Sequence, residues 1–148
     1  MTVTTTAIEI AADPATIYRF ASATERWPEF LPHYRSVRVL EDRGASRVVE
    51  MAARRDWIPI RWTARQTNDP IRPHIAFRHV RGWTRGMEVE WRFEPTSGGT
   101  RVTIEHRLRF RFPLAAGWLG ERVVSGFFID YVAGKTLARM KQLAEATK

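Results

Sequence analysis

The fold is decided by the C-terminal stretch 113–148, PLAAGWLGERVVSGFFIDYVAGKTLARMKQLAEATK, which has no proline after its first residue. About thirty helical residues would span roughly 40 Å at 1.5 Å per residue. The second half carries one apolar stripe at helical spacing, formed by Ile129, Val132, Ala133, Thr136, Leu137, Met140, Leu143 and Ala144. The first half is apolar around most of its circumference. We therefore predict a long terminal helix that requires a large partner surface.

The chain before this helix is predicted to supply that surface as a sheet. Apolar and polar residues alternate with a period of two, as expected for strands with one buried face. The predicted strands are 2–10, 35–41, 47–54, 57–67, 74–81, 87–94 and 101–111. Two short helices are predicted between the first two strands, one beginning at Asp13-Pro14 and one over 24–31. Short turns between the later strands indicate an antiparallel meander.

The composition indicates a single cytoplasmic domain, 1–148. The absence of cysteine removes disulfides and thiol catalysis and fits a reducing compartment. The N-terminus lacks the features of a signal peptide, and no run reaches the ~20 apolar residues of a membrane span. The net charge of +8 comes from arginines spread over nearly all strands. We therefore expect a basic solvated surface and no nucleic-acid partner.

No metal or cofactor site is predicted. The four histidines lack the HExxH spacing of a zinc site, and cysteine ligands are absent. Gly98-Gly99 fits a hairpin turn between two strands, whereas a phosphate-binding loop connects a strand to a helix.

The order of the predicted elements is similar to that of a known superfamily. One strand, two short helices containing Asp13-Pro14 and Trp27-Pro28, six further strands and a terminal helix resemble the START/birch-pollen-allergen (SRPBCC) superfamily. The resemblance covers the whole chain and is narrower for the polyketide cyclase/dehydrase and coenzyme Q-binding branch. It implies an α+β helix-grip fold. In that fold a seven-stranded curved antiparallel sheet wraps around the C-terminal helix and leaves an apolar cavity.

The residues themselves also favour a cavity between sheet and helix. Small helix residues are expected to face large aromatic side chains of the sheet; they are Gly120, Gly126, Ala133 and Gly134. Glycine in a helix costs about 0.5–1 kcal/mol relative to alanine, so its repeated use indicates a close approach or a bend. A solid core with glycines beneath the tryptophans is the alternative. We predict ligand contacts at Trp27, Phe30, Trp62, Ala64, Phe77, Met87, Val89, Trp91, Ile104, Phe127 and Tyr131.

Two histidines share the predicted inner face of the sheet. His106 stands between Ile104 and Leu108, and His79 has the same inward parity on its own strand. Because the reference pKa of histidine lies near neutral pH, either is a candidate general acid or base for an aldol or dehydration step. The alternative is a core histidine that forms a hydrogen bond with Tyr131 or with a backbone carbonyl.

Gln66 is the third candidate catalytic residue. In aromatase/cyclase members of the superfamily, a strand of the form Trp-x-Ser-x-Arg precedes an Asp-Pro turn, and its arginine is implicated in catalysis. The matching positions here are Trp62, Ala64 and Gln66, followed by Asp69-Pro70. A glutamine can orient a carbonyl group, but it cannot donate a charge-assisted hydrogen bond to an enolate.

Two functions stay open at this point, and in both the partner is a hydrophobic small molecule. One is a polyketide cyclase/dehydrase-like protein of the aromatase type, which positions a folded poly-ketone chain beside the histidines. The other is a non-catalytic carrier of a quinone or lipid, favoured by the missing serine and arginine. The apolar segment 110–128 is predicted to be a portal, a homodimer face or a site of transient membrane-surface contact, with the loop 81–86 as the opposing lip.

Overall fold

The computed structural model of the protein describes residues 2–108 and 125–147, which form an α+β architecture. The predicted helix-grip fold, with seven strands, short helices after the first strand and a long terminal helix, is confirmed. In chain order the elements are β1 (Thr2–Ile10), α1 (Pro14–Ser22), a 3-10 turn (Thr24–Arg26), α2 (Trp27–Phe30), β2 (Tyr34–Asp42), β3 (Ser46–Arg55), β4 (Ile58–Asp69), β5 (His74–Gly82), β6 (Glu88–Thr96), β7 (Gly99–Leu108), a π-helical turn (Ser125–Ile129) and α3 (Asp130–Ala146).

All seven strands form one antiparallel sheet in the order β1-β7-β6-β5-β4-β3-β2. Strands β2 to β7 form the predicted meander. β1 pairs with β7 over its full length, from Thr2 opposite Leu108 to Ile10 opposite Thr100. The register shifts between β2 and β3, where the extra residues lie in β2, and between β4 and β5, where Val80 of β5 is the extra residue. Because a bulge bends its strand and increases the local twist, these irregularities help the sheet to curve around α3.

The terminal helix α3 lies on the concave face of the sheet and contacts β1 and α1. Its buried residues belong to the predicted apolar stripe; they are Ala133, Thr136, Leu137, Met140 and Ala144. The chain enters α3 through a π-helical turn, where the sequence predicted a regular helix. The predicted helical residues 113–124 and strand residues 109–111 lie outside the described residues. Within 2–108 and 125–147, none of the helices combines the length and apolar character that crossing a membrane requires.

The two short helices cover one end of the sheet. Asp13 caps α1 as predicted, because its Oδ1 accepts a hydrogen bond of 2.7 Å from the Thr16 backbone N–H. In α2 the indole Nε1 of Trp27 donates to the Phe20 carbonyl at 3.2 Å. This bond fixes the orientation of the Trp27 ring, which packs at 5.9 Å from the ring of Trp91 on β6. The short helices therefore deliver an aromatic side chain to the inner face of the sheet.

The outer face of the sheet is a polar surface of paired charges. Arg92 lies 3.0 Å from Glu90, and Arg107 lies 3.4 Å from Glu88 on the neighbouring strand. Arg61 similarly meets Glu50 at 3.2 Å. Exposed pairs of this kind contribute little stability individually. These charged side chains make the outer face of the sheet favourable in water. A core or a cavity is therefore expected on the inner face only.

Candidate functional site

A cavity lies between the inner face of the sheet and α3. Side chains two residues apart on a strand share a face, so β4, β5 and β6 each direct aromatic rings inward. Trp62, Phe77 and Trp91 form this wall, and Trp27 of α2 adds a fourth ring. All four residues are buried. One side of the cavity is therefore an aromatic surface, as the alternation of the strands predicted.

The opposite wall is formed by the first turns of the terminal helix. Ile129, Val132, Ala133 and Thr136 line the cavity from this side. Of the small helix residues predicted to face the sheet, Ala133 lines the cavity, whereas Gly126 and Gly134 do not. Gly120 lies outside the described residues. On the described part of this wall, the short side chains of Ala133 and Thr136 therefore leave space opposite the tryptophans.

The cavity is small. The space open to the centres of water-sized molecules is about 70 Å³. Aromatic rings form much of its lining, and aromatic faces pack well against a planar ring system.

His106 lines this cavity from β7, where it stands opposite Val89 of β6. Its Nδ1 atom is buried and forms no hydrogen bond among the described residues. Burying an unpaired polar atom costs about 1–3 kcal/mol. Burial also lowers the pKa of His106 to about 4. At pH 7 only about one ring in a thousand is then charged, so the cavity contains a neutral imidazole whose buried Nδ1 has no hydrogen-bond partner among the described residues.

His79 lies in the same wall on β5, and its ring is held in place from two sides. It stacks on Trp62 with ring centroids 5.5 Å apart and planes inclined by 6°. Its Nδ1 lies 2.6 Å from Oγ1 of Thr84. Burial, together with the nearby His106, lowers the pKa of His79 to about 3. Both histidines are therefore neutral at pH 7, and His79 is the one already committed to protein partners.

The polar groups that line the cavity carry no charge at neutral pH. Among the described residues, no aspartate, glutamate, lysine or arginine lines it. Burial raises the pKa of the Tyr34 phenol far above its usual range. Residues 2–108 and 125–147 also contain no cluster of histidine and carboxylate side chains suited to a metal ion. Chemistry in this cavity would therefore rest on neutral hydrogen bonds and on the shape of its walls.

His33 lies between the cavity and the outer surface beside α3. The hydroxyl of Thr136 donates its only proton to the Val132 carbonyl at 2.7 Å. The 2.9 Å contact between His33 Nε2 and Thr136 Oγ1 must therefore use a proton on His33. Burial and the charge of Lys135 lower the pKa of His33 to about 4. This neutral histidine and Thr136 form a hydrogen-bonded wall at one side of the cavity.

Gln66 is buried but does not line the cavity. Its Oε1 accepts hydrogen bonds from Thr24 at 2.7 Å and from Arg47 at 3.3 Å, and its Nε2 donates to the Ser22 carbonyl at 2.9 Å. Arg47 stands opposite Gln66 in the register of β3 and β4, and it also pairs with Glu25 at 2.7 Å. The amide is thus occupied in attaching the α1–α2 segment to the sheet.

Replacing Gln66 by leucine is expected to lower the free energy of unfolding by about 2 kcal/mol, because the Ser22 carbonyl and Arg47 lose buried partners. Ligand affinity should change by less than about twofold, since the amide contributes nothing to the lining. Urea unfolding and a ligand titration measure the two effects. Thr67→Val, at the exposed neighbouring position of β4, is the control. A loss of affinity clearly greater than about twofold in folded Gln66→Leu protein would contradict the purely structural role.

The other predicted ligand contacts divide into two groups. Those that line the cavity are Trp27, Trp62, Phe77, Met87, Val89, Trp91 and Ile104. Those that lie elsewhere are Phe30, Ala64, Phe127 and Tyr131. Phe30 packs edge-on against Phe20 at 5.9 Å. The guanidinium of Arg55 covers the rings of Phe127 and Tyr131 at 4.3 and 4.8 Å and binds the Phe127 carbonyl.

Further residues line the cavity that were not among the predicted ligand contacts. They are Tyr34, Met51, Ile60, Thr84, Phe128, Ile129, Val132, Ala133 and Thr136. Ala133 was expected to face the aromatic side chains of the sheet, and Ile60 has the same inward parity as Trp62 on β4. The strand pairing also explains Met51, which stands opposite Trp62. No local pattern indicates Thr84, which lies in a turn, or Phe128, which lies in the π-helical turn. Of the segment 110–128, predicted as a portal, dimer face or membrane contact, only 125–128 fall within the described residues.

A curved antiparallel sheet that grips a terminal helix, with an apolar cavity between them, defines the helix-grip class of ligand-binding proteins. The chain belongs to the family described as polyketide cyclase/dehydrase and lipid transport, whose model matches residues 10–141. This confirms the superfamily and the branch that the order of elements indicated. No functionally curated protein matches the sequence.

Solved structures of low sequence identity share the fold. TTHA0849 from Thermus thermophilus superposes with a TM-score of 0.84 at 22% identity, over 99% of each chain. The Zhui aromatase/cyclase from Streptomyces sp. R1128 gives 0.80 at 21% identity, over 97% of this chain and 93% of that one. A START superfamily protein from Mycobacterium smegmatis gives 0.72 at 15% identity, over 95% and 98%. At such identities the likeness establishes the fold alone.

Proposed function

We propose that the protein binds a flat hydrophobic or aromatic molecule between sheet and helix and holds one of its polar groups against His106. The observation that carries this proposal is the unpaired, buried Nδ1 of His106, on a residue that lines a cavity walled by aromatic rings. A guest that supplies the missing hydrogen bond would offset the cost of burying that atom. Apolar walls with few polar groups are typical of small-molecule sites.

A poly-ketone is the guest class that we propose first. The family description includes polyketide cyclases and dehydrases. In this proposal the aromatic walls hold the chain folded while His106, supported by its neighbour His79, orients a carbonyl group. Orientation alone can lower a barrier substantially, because it brings the reacting carbons together at high effective concentration. With a pKa near 4, His106 is a weak base and serves as a hydrogen-bond partner of the reacting group.

The second candidate function is a non-catalytic carrier of a quinone or lipid. The observation that favours it is the absence of any charged side chain from the described lining, since proton transfer usually relies on a group that titrates near the working pH. The family description includes lipid transport. Both functions are proposed for a cytoplasmic protein, in keeping with the cysteine-free sequence.

The binding proposal is tested with 1-naphthol and naphthalene, which differ by one hydroxyl group. Quenching of the tryptophans that line the cavity reports binding. We expect the wild-type protein to bind 1-naphthol about three- to tenfold more tightly than naphthalene, the value of one hydrogen bond. In His106→Leu the two affinities should become equal, with naphthalene still bound. His74→Leu, which changes a half-exposed histidine outside the cavity, should keep the difference.

The outcomes separate the parts of the proposal. If neither compound shows saturable binding, the cavity is not a ligand site. If His106→Leu keeps the preference for 1-naphthol, the guest is anchored elsewhere. Organic extraction of the purified protein then distinguishes the two functions, because a co-purified isoprenoid quinone or lipid supports the carrier. Turnover of a poly-ketone thioester that falls in His106→Leu supports the cyclase.

A further inference from the structure

A second concave region lies on the outside of α3. It is a groove between one face of the helix, the segment that joins α2 to β2, and the turn between β3 and β4. The space open to the centres of water-sized molecules is about 500 Å³, several times that of the apolar cavity. Its polar lining consists of Arg54, Lys135, Arg139, Tyr131, Gln142 and Asp56, with His33 at the wall shared with the cavity. The groove is thus roomy, open and mainly cationic.

The cations of this groove are not neutralised by the carboxylates that the structure describes. Arg54 and Lys135 are exposed, and no described carboxylate forms an ion pair with either of them or with Arg139. The Nε–H of Arg139 donates a hydrogen bond of 2.9 Å to the Phe30 carbonyl. On the outer face of the sheet, Arg61, Arg92 and Arg107 each stand beside a glutamate. The groove instead brings three cationic side chains together in one concave region without an ion pair among the described residues.

The charge of the groove exceeds what its one carboxylate can balance. Three cationic side chains against Asp56 leave an excess of two positive charges. The guanidinium of Arg55 adds to it, since it lies 4.8 Å from the ring centre of Tyr131 in the groove wall. The ammonium group of Lys135 lies 5.2 Å from the centre of the same ring. A phosphate monoester carries roughly −1.5 to −2 charges at pH 7, so the groove can balance the charge of a phosphate group.

We propose that this groove is an anion-binding site that takes the phosphate group of a ligand. Arg54 supplies a planar donor fork suited to two phosphate oxygens, and Lys135 supplies a mobile point charge. The site stands apart from the apolar cavity, separated from it by the hydrogen-bonded pair of His33 and Thr136. The proposed anion site does not depend on which ligand binds in the apolar cavity. The phosphate comes either from a free phosphate ester or from a lipid headgroup.

The test is a titration of pyrophosphate and glycerol phosphate into the ¹⁵N-labelled full chain at constant ionic strength. Constant ionic strength keeps the screening of the general attraction between anions and a protein with a net charge of +8 the same throughout the titration. We expect saturable shifts at groove residues. Arg54→Gln and Lys135→Gln should each weaken binding about tenfold. Arg72→Gln, which removes one exposed charge beyond the far end of β4, should leave the affinity unchanged.

A second arm identifies the source of the phosphate. Flotation with phosphatidylglycerol vesicles that fails in Arg54→Gln, but not in Arg72→Gln, assigns the site to a lipid headgroup. Saturable binding of glycerol phosphate without flotation assigns it to a free phosphate ester. The proposal is overturned if neither probe binds, or if Arg72→Gln weakens binding as much as the groove variants do. In that last case, the protein attracts anions through its net charge only.

Discussion

Replacing Gly99 by alanine is expected to lower the free energy of unfolding by about 4 kcal/mol. Gly99 opens β7 with a φ of +149°, where a side chain is strained whatever the space. A Cβ there would also lie 2.1 Å from the Ile10 carbonyl oxygen and 2.9 Å from Ala11 Cα. Both neighbours are backbone atoms at the end of β1, so no side-chain rotation can relieve the contact. The chain would have to separate β1 from β7 locally.

The matched control is the neighbouring residue of the same turn. A Cβ at Gly98 meets no atom within 4 Å, so Gly98→Ala should change the stability by no more than about 0.5 kcal/mol. Urea unfolding followed by tryptophan fluorescence compares the two variants. Equal urea midpoints would show that β1 and β7 yield easily, and that the close approach of their backbones is not a constraint on the fold.

Acidification from pH 7 to pH 5 is expected to destabilise the protein by about 2 kcal/mol for each of His33, His79 and His106. Their pKa values are lowered to about 4, 3 and 4 in the folded protein by burial, whereas each is near 6.5 in the unfolded chain. Between these values the unfolded state binds more protons than the folded state. Stability is therefore complete above about pH 6.5 and falls progressively towards pH 4.

Urea unfolding at several pH values measures this dependence. His79→Phe, which keeps a ring on Trp62, should remove about a third of the loss between pH 7 and pH 5. Thr67→Val should leave the loss unchanged, because it removes no titrating group from the exposed face of β4. An identical pH dependence in wild type and His79→Phe would mean that protonation of the interior histidines does not govern acid stability.

The strand alternation was sufficient to identify the inner face of the sheet. Trp62, Phe77 and Trp91 follow the period of two, and all three line the cavity. The same parity predicted that His106 faces inward, because Ile104, His106 and Leu108 are two residues apart on one strand and share its apolar face. These are local properties of a pleated strand, so they can be obtained from neighbouring residues alone.

Gln66 shows where this reasoning ends. Its parity is inward, and the structure does bury it. However, Arg47 lies opposite it only because of the β3–β4 register, and Thr24 reaches it from a segment 42 residues away in sequence. Whether a buried amide meets a ligand or a protein partner depends on such distant groups. The predicted ligand contact at Tyr131 is decided by a distant group as well, because its ring lies in the groove outside α3, beneath the guanidinium of Arg55.

What the sequence determined by itself was the set of elements and the buried side of each, because periodicity and capping act over a few residues. Tertiary structure alone decided which buried polar groups remain unpaired. His33 finds Thr136 across 103 residues of sequence, while His106 Nδ1 has no partner among the described residues. It also gathered Arg54 and Lys135 in one groove, since the turn after β3 and the face of α3 meet only when the sheet closes around the helix.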